Sequence, residues 1–138
     1  VANNTFVNAS PTAGSESFNI RIGAGSYTNA RFMNNIILQE DVVGIALNDA
    51  TGVTFGYNNW SKIPRSSCQG TGDIVADPAL ARTGPTGPGM LTPEWFKILE
   101  GSPARDRAKI LPEVSEDFFQ TPRGSAPDMG AHEVPSRL

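Results

Sequence analysis

The stretch Phe32-Met33-Asn34-Asn35-Ile36-Ile37-Leu38 places an Asn pair between two short apolar runs. The same setting occurs earlier in the chain at Asn3-Asn4 and later at Asn58-Asn59. Asn tolerates the left-handed backbone conformation, and its amide can bond the backbone or an Asn stacked above it. The recurring pair therefore predicts corners that stack on one another in successive repeats. The alternative, that the Asn pairs mark unrelated loops, leaves the repeated apolar flanks unexplained.

A second kind of apolar segment precedes each of the two later Asn pairs. Residues 18–23 and residues 44–49 alternate apolar and polar side chains, as a half-buried strand requires. Each repeat, of roughly two dozen residues, then holds two strands separated by a corner. This pattern predicts an all-β fold, a parallel β-solenoid (β-helix) of about three coils, with each coil about 4.8 Å above the last.

Composition divides the chain into two parts. All ten Asn residues lie between Asn3 and Asn59, whereas ten of the eleven Pro residues lie from Pro64 onward. Pro lacks the N–H that a central strand donates, so the second part cannot continue the coils. We predict β-helix coils over residues 1–69 and an irregular, Pro-rich wrapping or capping tail of the same domain over residues 70–138.

Charge and hydropathy narrow the range of partners. The formal net charge is −3 and forms no basic face, which makes nucleic acid an unexpected partner. The chain has no run of about 20 apolar residues, so no membrane span is predicted. Residues 1–7 already have the pattern of a coil strand, and an uncapped coil exposes unpaired backbone groups. We expect the N-terminal remainder of its own protein, or another chain, to cover this open first coil. Self-association through the same coil is the third possibility.

Several short motifs occur in order along the tail: Asp73-Ile74-Val75-Ala76-Asp77-Pro78, Gly101-Ser102-Pro103-Ala104-Arg105-Asp106, Thr121-Pro122-Arg123-Gly124 and Pro127-Asp128-Met129-Gly130-Ala131-His132-Glu133. They resemble the C-terminal end of bacterial secreted right-handed parallel β-helix proteins of the pectate-lyase-like superfamily. The superfamily includes polysaccharide lyases that resemble alginate lyase and chondroitinase B. The resemblance implies a right-handed solenoid, an extracellular or periplasmic location and an acidic polysaccharide as partner. The chain departs from the pattern at Arg107, where a small residue is usual.

The polar residues of the tail favour a structural role over catalysis. Asp106, Arg123 and Asp128 are expected to be internal partners, because a carboxylate that accepts bonds from Arg or turn N–H groups fixes a loop that has no ladder. His132, the one histidine, is a further candidate for catalysis, and no metal ligand set is predicted around it. Asp73 and Asp77 could offer oxygens to calcium, but they fall short of the six to eight ligands that this ion takes.

We therefore interpret the chain as the C-terminal segment of an extracellular polysaccharide-active protein. The first interpretation is that this protein is a lyase that acts by β-elimination. The segment itself would then be mainly structural. Such a lyase must neutralise a sugar carboxylate and remove a proton. The basic candidates are Arg21, Arg31 and Lys62, whose alternative role is that of solvated surface residues or of partners in salt bridges from rung to rung. The catalytic coils are expected before Val1. A non-catalytic glycan- or protein-binding surface module is the second interpretation. The positions of two aromatic side chains distinguish these two interpretations. If Tyr57 and Trp60 face outward, they would form a sugar-binding groove, whereas a buried Trp60 would indicate a scaffold.

Overall fold

The computed structural model describes residues 1–9, 17–40 and 44–136, and in this part the chain is mostly β. Every pair of strands is parallel. Two 3-10 helices, Ser66–Cys68 and Pro93–Phe96, are the helical elements of this part. The strands are β1 (Thr5–Val7), β2 (Phe18–Met33), β3 (Ile36–Leu38), β4 (Gly44–Gly56), β5 (Asn59–Trp60) and β6 (Ile74–Val75).

The strands form two sheets, a four-stranded one with the order β1-β3-β5-β6 and a two-stranded one of β2 and β4. Thr5 pairs with Ile36, which confirms the predicted alignment of the first two Asn pairs. Phe18 pairs with Gly44, which confirms the alignment of the two alternating segments. Ile36 pairs with Asn59 rather than with Trp60, so the third repeat is shifted by one position from the predicted alignment. The apolar patterns therefore identify strands that pair, but not every register.

The prediction of a right-handed solenoid of about three coils is wrong. The structure shows two separate sheets, of four and two strands, and the described residues do not close into a solenoid. Among the described residues, the chain after β5 supplies no third strand to the β2–β4 sheet. Pro64 has no N–H to donate to a ladder, and the 3-10 helix Ser66–Cys68 that follows it packs against β4 instead. The Oγ of Ser67 there accepts a hydrogen bond from the Asn48 N–H at 3.2 Å.

A hydrophobic cluster joins the two sheets. Phe32 of β2 lies between two other rings: Phe6 at 6.1 Å and Trp60 at 6.2 Å between ring centroids, with interplanar angles of 19° and 14°. Such stacks contribute beyond the area that the rings bury. The buried members of this cluster are Phe32, Ile37, Ile45, Ala46, Phe55, Trp60 and Cys68.

A second cluster packs the tail on the other face of β3. Ile36 and Leu38 point to this face, while Ile37 between them points to the first cluster, as the alternation of side chains along a strand requires. The tail contributes Leu80, Trp95, Ile98, Ala104 and Met129. Both faces of the four-stranded sheet are thus buried at β3, and the tail lies along it.

Candidate functional site

An amide ladder runs across the four-stranded sheet. The Asn35 Oδ1 accepts the Asn4 N–H, the Asn58 Oδ1 accepts the Asn35 N–H, and the Asp73 Oδ1 accepts the Asn58 N–H, each at 2.9 Å. The Asp73 carboxylate ends the ladder, since its Oδ2 accepts the Gly70 N–H at 2.9 Å. Asn35 and Asn58 are therefore structural residues that satisfy buried backbone groups.

The rungs of this ladder are Asn4, Asn35, Asn58 and Asp73. The residue before each rung adopts the left-handed backbone conformation. Its φ is 55° at Asn3, 59° at Asn34, 53° at Tyr57 and 77° at Gly72. Tyr57 thus takes the place that the sequence pattern assigned to Asn, which explains the shift of the third repeat by one position. Its ring is half-buried in the second cluster, and a Cβ on Gly72 would lie 2.5 Å from it. The side chain predicted to bind substrate at Tyr57 is thereby engaged in packing.

Trp60 is fully buried, with 0% of its surface exposed. One face of its indole lies against Phe32, and the Nε1–H donates to the Asp73 Oδ2 at 3.1 Å. A sugar cannot stack on a ring without an exposed face, so the predicted substrate-binding role of Trp60 is corrected to a core role. Asn59, its neighbour, donates from Nδ2 to the Ala76 carbonyl at 2.9 Å.

The tail is organised around a buried guanidinium. The Arg123 side chain is 4% exposed and donates to the Glu133 Oε2 at 2.9 Å and to the carbonyls of Asp128 and Gly130 at 2.9 and 2.8 Å. Asp128 accepts two backbone N–H groups at 2.7 Å, one of them from Asp106. Arg123 and Asp128 are therefore placed as internal partners. Asp106 joins through its backbone, while its carboxylate is exposed.

Burial and hydrogen bonding have opposite effects on the pKa values of the carboxyl groups in this network. Burial raises the pKa of both Asp128 and Glu133, while the N–H groups that they accept oppose that rise. Asp117, which the motifs did not indicate, belongs to the same network. Its Oδ2 accepts the Glu133 N–H at 2.7 Å, and its Oδ1 accepts the Phe119 and Thr121 N–H groups at 2.8 Å.

His132 lies in the tail, away from the basic candidates. Its Nδ1 accepts the Ile98 N–H at 3.2 Å, and its ring meets the ring of Phe119 edge-on at 5.6 Å. Burial lowers the pKa of His132. These contacts hold the imidazole as a neutral packing group that accepts a backbone bond.

The described residues contain no group of three or more His, Cys, Asp or Glu side chains that could hold a metal ion. The Asp73 carboxylate already accepts three N–H groups, and the Asp77 Oδ1 accepts the Ala79 N–H at 2.9 Å. Nor does this part of the chain contain a helix long and apolar enough to cross a membrane.

The three basic candidates of the strand region lie apart. Arg21 pairs with Asp49 at 3.0 Å, and Lys62 is half-buried just after β5. Arg31 pairs with Glu113 of the tail. Of the three, Arg31 is the one that lines the surface described next.

That surface consists of two grooves that share Asn29 and Arg31, and together we name them the Arg31 groove. The first, of about 420 Å³, is lined by Asn29, Arg31, Met33, Thr54 and Lys109. The second, of about 430 Å³, is lined by Val1, Ile22, Tyr27, Asn29, Ala30, Arg31, Phe32 and Val53. The residues that line the two grooves include no Asp or Glu, but the Glu113 carboxylate contacts Arg31 from outside this lining.

A β-bulge shapes the Arg31 groove. Ser26 pairs with Thr51 and Ala30 pairs with Val53, so β2 is longer here than β4. Bulges turn side chains out of the regular alternation. Tyr27 is 52% exposed at this point. Gly52 makes the bulge possible, because its φ is +79° and a Cβ would lie 1.7 Å from the Tyr27 carbonyl oxygen.

Strand pairing places Thr54 beside Arg31, and the side-chain amide of Asn34 holds the backbone of Lys109. Arg31 is the register partner of Thr54. Asn34 holds Lys109 by two hydrogen bonds, accepting its N–H at 2.9 Å and donating to its carbonyl at 2.8 Å. Two cations, an amide, a hydroxyl and an exposed phenol thus meet on one surface.

Sequence reasoning found Arg31 but missed Tyr27, Asn29, Thr54 and Lys109. Thr54 could have been found from the spacing of the two alternating segments, after correction for the bulge. Lys109 could not, because it lies 75 residues beyond Asn34 in a segment without repeats.

A separate apolar groove of about 350 Å³ lies in the tail. We name it the tail groove, and Thr5, Leu91, Thr92, Pro93, Phe96, Phe118, Phe119 and Ala131 line it. It has no charged residue in its lining. No protein-family model matches the chain, and no curated protein matches its sequence.

Proposed function

We propose that the chain is a non-catalytic module of an extracellular or periplasmic polysaccharide-active protein, and that its Arg31 groove binds an acidic glycan. The observation that supports this proposal is the meeting of Arg31 and Lys109 with Tyr27, Asn29 and Thr54 on one surface. The resemblance of the tail motifs to those of polysaccharide lyases points to the same class of ligand.

Each group of the groove matches a feature of a uronate residue. A guanidinium can bind a carboxylate through two parallel hydrogen bonds, and Lys109 adds a second positive charge. The amide of Asn29 and the hydroxyl of Thr54 can donate to and accept from sugar hydroxyls. The exposed ring of Tyr27 offers an apolar face with a polar tip, which suits the alternating faces of a sugar ring.

The exposure of the groove favours binding over catalysis. Arg31 is 53% exposed at its side chain, and Tyr27 is 52% exposed. Stabilisation of a β-elimination transition state needs preorganised groups in a site that excludes water. Water screens the charges of an open groove, so we assign any β-elimination to other parts of the protein.

The edge of the four-stranded sheet provides a place for those other parts. β1 is the first strand in the order β1-β3-β5-β6, and its outer edge pairs with no other described strand. Residues 3–8 contain neither a charge nor a Pro, the usual means by which proteins protect an edge. We propose that the remainder of the protein, or another chain, adds a strand at β1.

Binding of acidic glycans by matched variants tests the proposal. Arg21 and Arg31 both lie in β2, are 43% and 53% exposed at their side chains, and each pairs with a carboxylate of the described residues. Arg31→Gln should weaken binding of an alginate oligosaccharide roughly two- to fivefold, because an exposed ion pair with a ligand carboxylate is lost. Arg21→Gln should leave the affinity unchanged.

Titration calorimetry with alginate, pectate and chondroitin sulfate gives the readout, and ultraviolet absorbance of the same mixtures reports unsaturated products. Equal weakening by both variants would indicate unspecific charge attraction and overturn the site. Failure of all three glycans to bind would overturn the function. Release of unsaturated products by the chain alone would show that the module is catalytic.

A further inference from the structure

We infer that Glu113 is an internal competitor for the Arg31 groove, which an acidic ligand must displace before it binds. This inference rests on the proposed function, since it concerns regulation of the same site. In the structure, the Glu113 carboxylate contacts the Arg31 guanidinium through Oε1 and Nη2. That is the contact a ligand carboxylate would make.

The tail presents Glu113 on an anchored turn. Val114 donates its N–H to the Leu111 carbonyl at 2.9 Å, which closes a turn around Glu113. Leu111 is buried and holds this turn to the body of the protein. Because the turn is fixed, the carboxylate is delivered to Arg31 from a segment 82 residues further along the chain.

The contact is nevertheless easy to exchange. The Arg31 and Glu113 side chains are 53% and 51% exposed, and water screens such a pair so that it contributes little to stability. A backbone hydrogen bond of Glu113 itself lowers the pKa of this carboxyl, and the Arg31 guanidinium lowers it further. A ligand with a single carboxylate must therefore compete for Arg31 with the Glu113 carboxylate, which the fold already places there.

This arrangement selects ligands that carry several acidic groups. A ligand with one carboxylate exchanges one ion pair for another and gains little. A polyuronate contacts Lys109 as well as Arg31, so its second carboxylate provides a contact that Glu113 does not make. Glu113 therefore sets a threshold that favours densely charged chains over neutral sugars and single acids.

Asp49 provides the matched control. It pairs with Arg21 at 3.0 Å, and the two side chains are exposed to a similar degree, at 43% for Arg21 and 42% for Asp49. Neither residue lines the Arg31 groove. Asp49→Asn changes the net charge by the same amount as Glu113→Gln. It leaves the Arg31 guanidinium paired with Glu113.

The test is the affinity of the full chain for an alginate oligosaccharide of a single length, measured by calorimetry. Glu113→Gln should tighten binding roughly two- to fivefold, the range expected when an exposed ion pair no longer competes. Asp49→Asn should change it less. In an Arg31→Gln background, Glu113→Gln should give no gain. Glu113→Ser serves as a second variant should the amide form a new contact with Arg31.

The outcomes separate the inference from the function on which it rests. Arg31-dependent binding that Glu113→Gln and Glu113→Ser leave equal or weaker would overturn the inference and leave the function standing. Equal gains from Glu113→Gln and Asp49→Asn would attribute the effect to net charge and also overturn it. No binding by the wild type or either Glu113 variant would overturn both.

Discussion

The strand region and the tail bury polar groups in different ways. In the strand region, Asn35 and Asn58 are neutral amides, and each accepts from the rung before it at the same distance of 2.9 Å. In the tail, Arg123, Asp128 and Glu133 are ionisable groups with contacts that occur once. Repetition lets a neutral side chain satisfy its neighbour, whereas a segment without repeats depends on charge-assisted hydrogen bonds to fix its loops.

The difference predicts unequal costs of damage. Loss of one partner from a buried ion pair leaves an uncompensated charge, which costs more than an unsatisfied amide or carbonyl. The tail should therefore be the more sensitive of the two regions to single polar substitutions, although it contains little regular structure.

Arg123→Met should give the largest effect. It removes the cation that pairs with the buried Glu133 carboxylate and one donor to each of the Asp128 and Gly130 carbonyls, and should lower the free energy of unfolding by about 3–5 kcal/mol. Urea denaturation measures this loss. Arg107→Met, at an exposed position of the same tail, is the control. Equal losses for the two variants would show that the network does not stabilise the tail.

Asn58→Ala should have an intermediate effect. It removes the acceptor of the Asn35 N–H and the donor to the Phe32 carbonyl, and should cost about 1–3 kcal/mol. Asn4→Ala is the matched control, because Asn4 lies at the exposed end of the same ladder. If both alanine variants unfold at the same urea concentration, the ladder does not have the role given to it here.

The contrast also explains what the sequence could predict. Alternation and spacing identified the pairing of β1 with β3 and of β2 with β4, since repeated patterns carry their own register. They failed where a local feature replaced the pattern. A 3-10 helix after Pro64 takes the place of a third strand beside β4, and Tyr57 takes a left-handed position that Asn was expected to fill.

The candidate site was predictable only in part for the same reason. Arg31 lies in a patterned strand, so it could be proposed as a surface cation. Its neighbours depend on a bulge at Tyr27 and on the place where Lys109 returns to Asn34. Neither the bulge nor the contact between Lys109 and Asn34 produces a periodic pattern in the sequence. Arg123 and Asp128 were found from the tail motifs, whereas Asp117 of the same network lies outside them.

A smaller effect concerns pH and His132. Burial lowers the pKa of His132 below its ordinary value of 6.5, so the unfolded chain binds more protons than the folded one in mildly acidic solution. The contribution of His132 to stability is therefore complete above pH 6.5 and declines as the pH falls below it. The raised pKa values of Asp128 and Glu133 act in the opposite sense, because the folded state then binds more protons.

Comparison of the wild type with His132→Gln isolates the histidine. The difference in free energy of unfolding between the two proteins should shrink as the pH is lowered from neutral into the mildly acidic range. Urea titrations at several pH values measure it. A difference that stays constant over this range would mean that the imidazole titrates equally in the folded and unfolded states.

The open edge of β1 should produce the smallest effect, a weak association of the chain with itself. At the other end of the same sheet, the Asp73 carboxylate satisfies the last rung of the amide ladder. Sedimentation velocity over a range of concentrations measures association. A monomer at every concentration would indicate that the β1 edge is protected.

The assignment of binding to the Arg31 groove and of a scaffold role to the tail is tested most directly by mapping a bound glycan. Backbone amide chemical shifts, recorded during titration with an alginate oligosaccharide, report which residues contact it. The predicted changes lie at residues 27–33, 53–54 and 109–113. Changes centred on the tail groove, at residues 91–96 and 118–119, or no change at any concentration, would contradict this assignment.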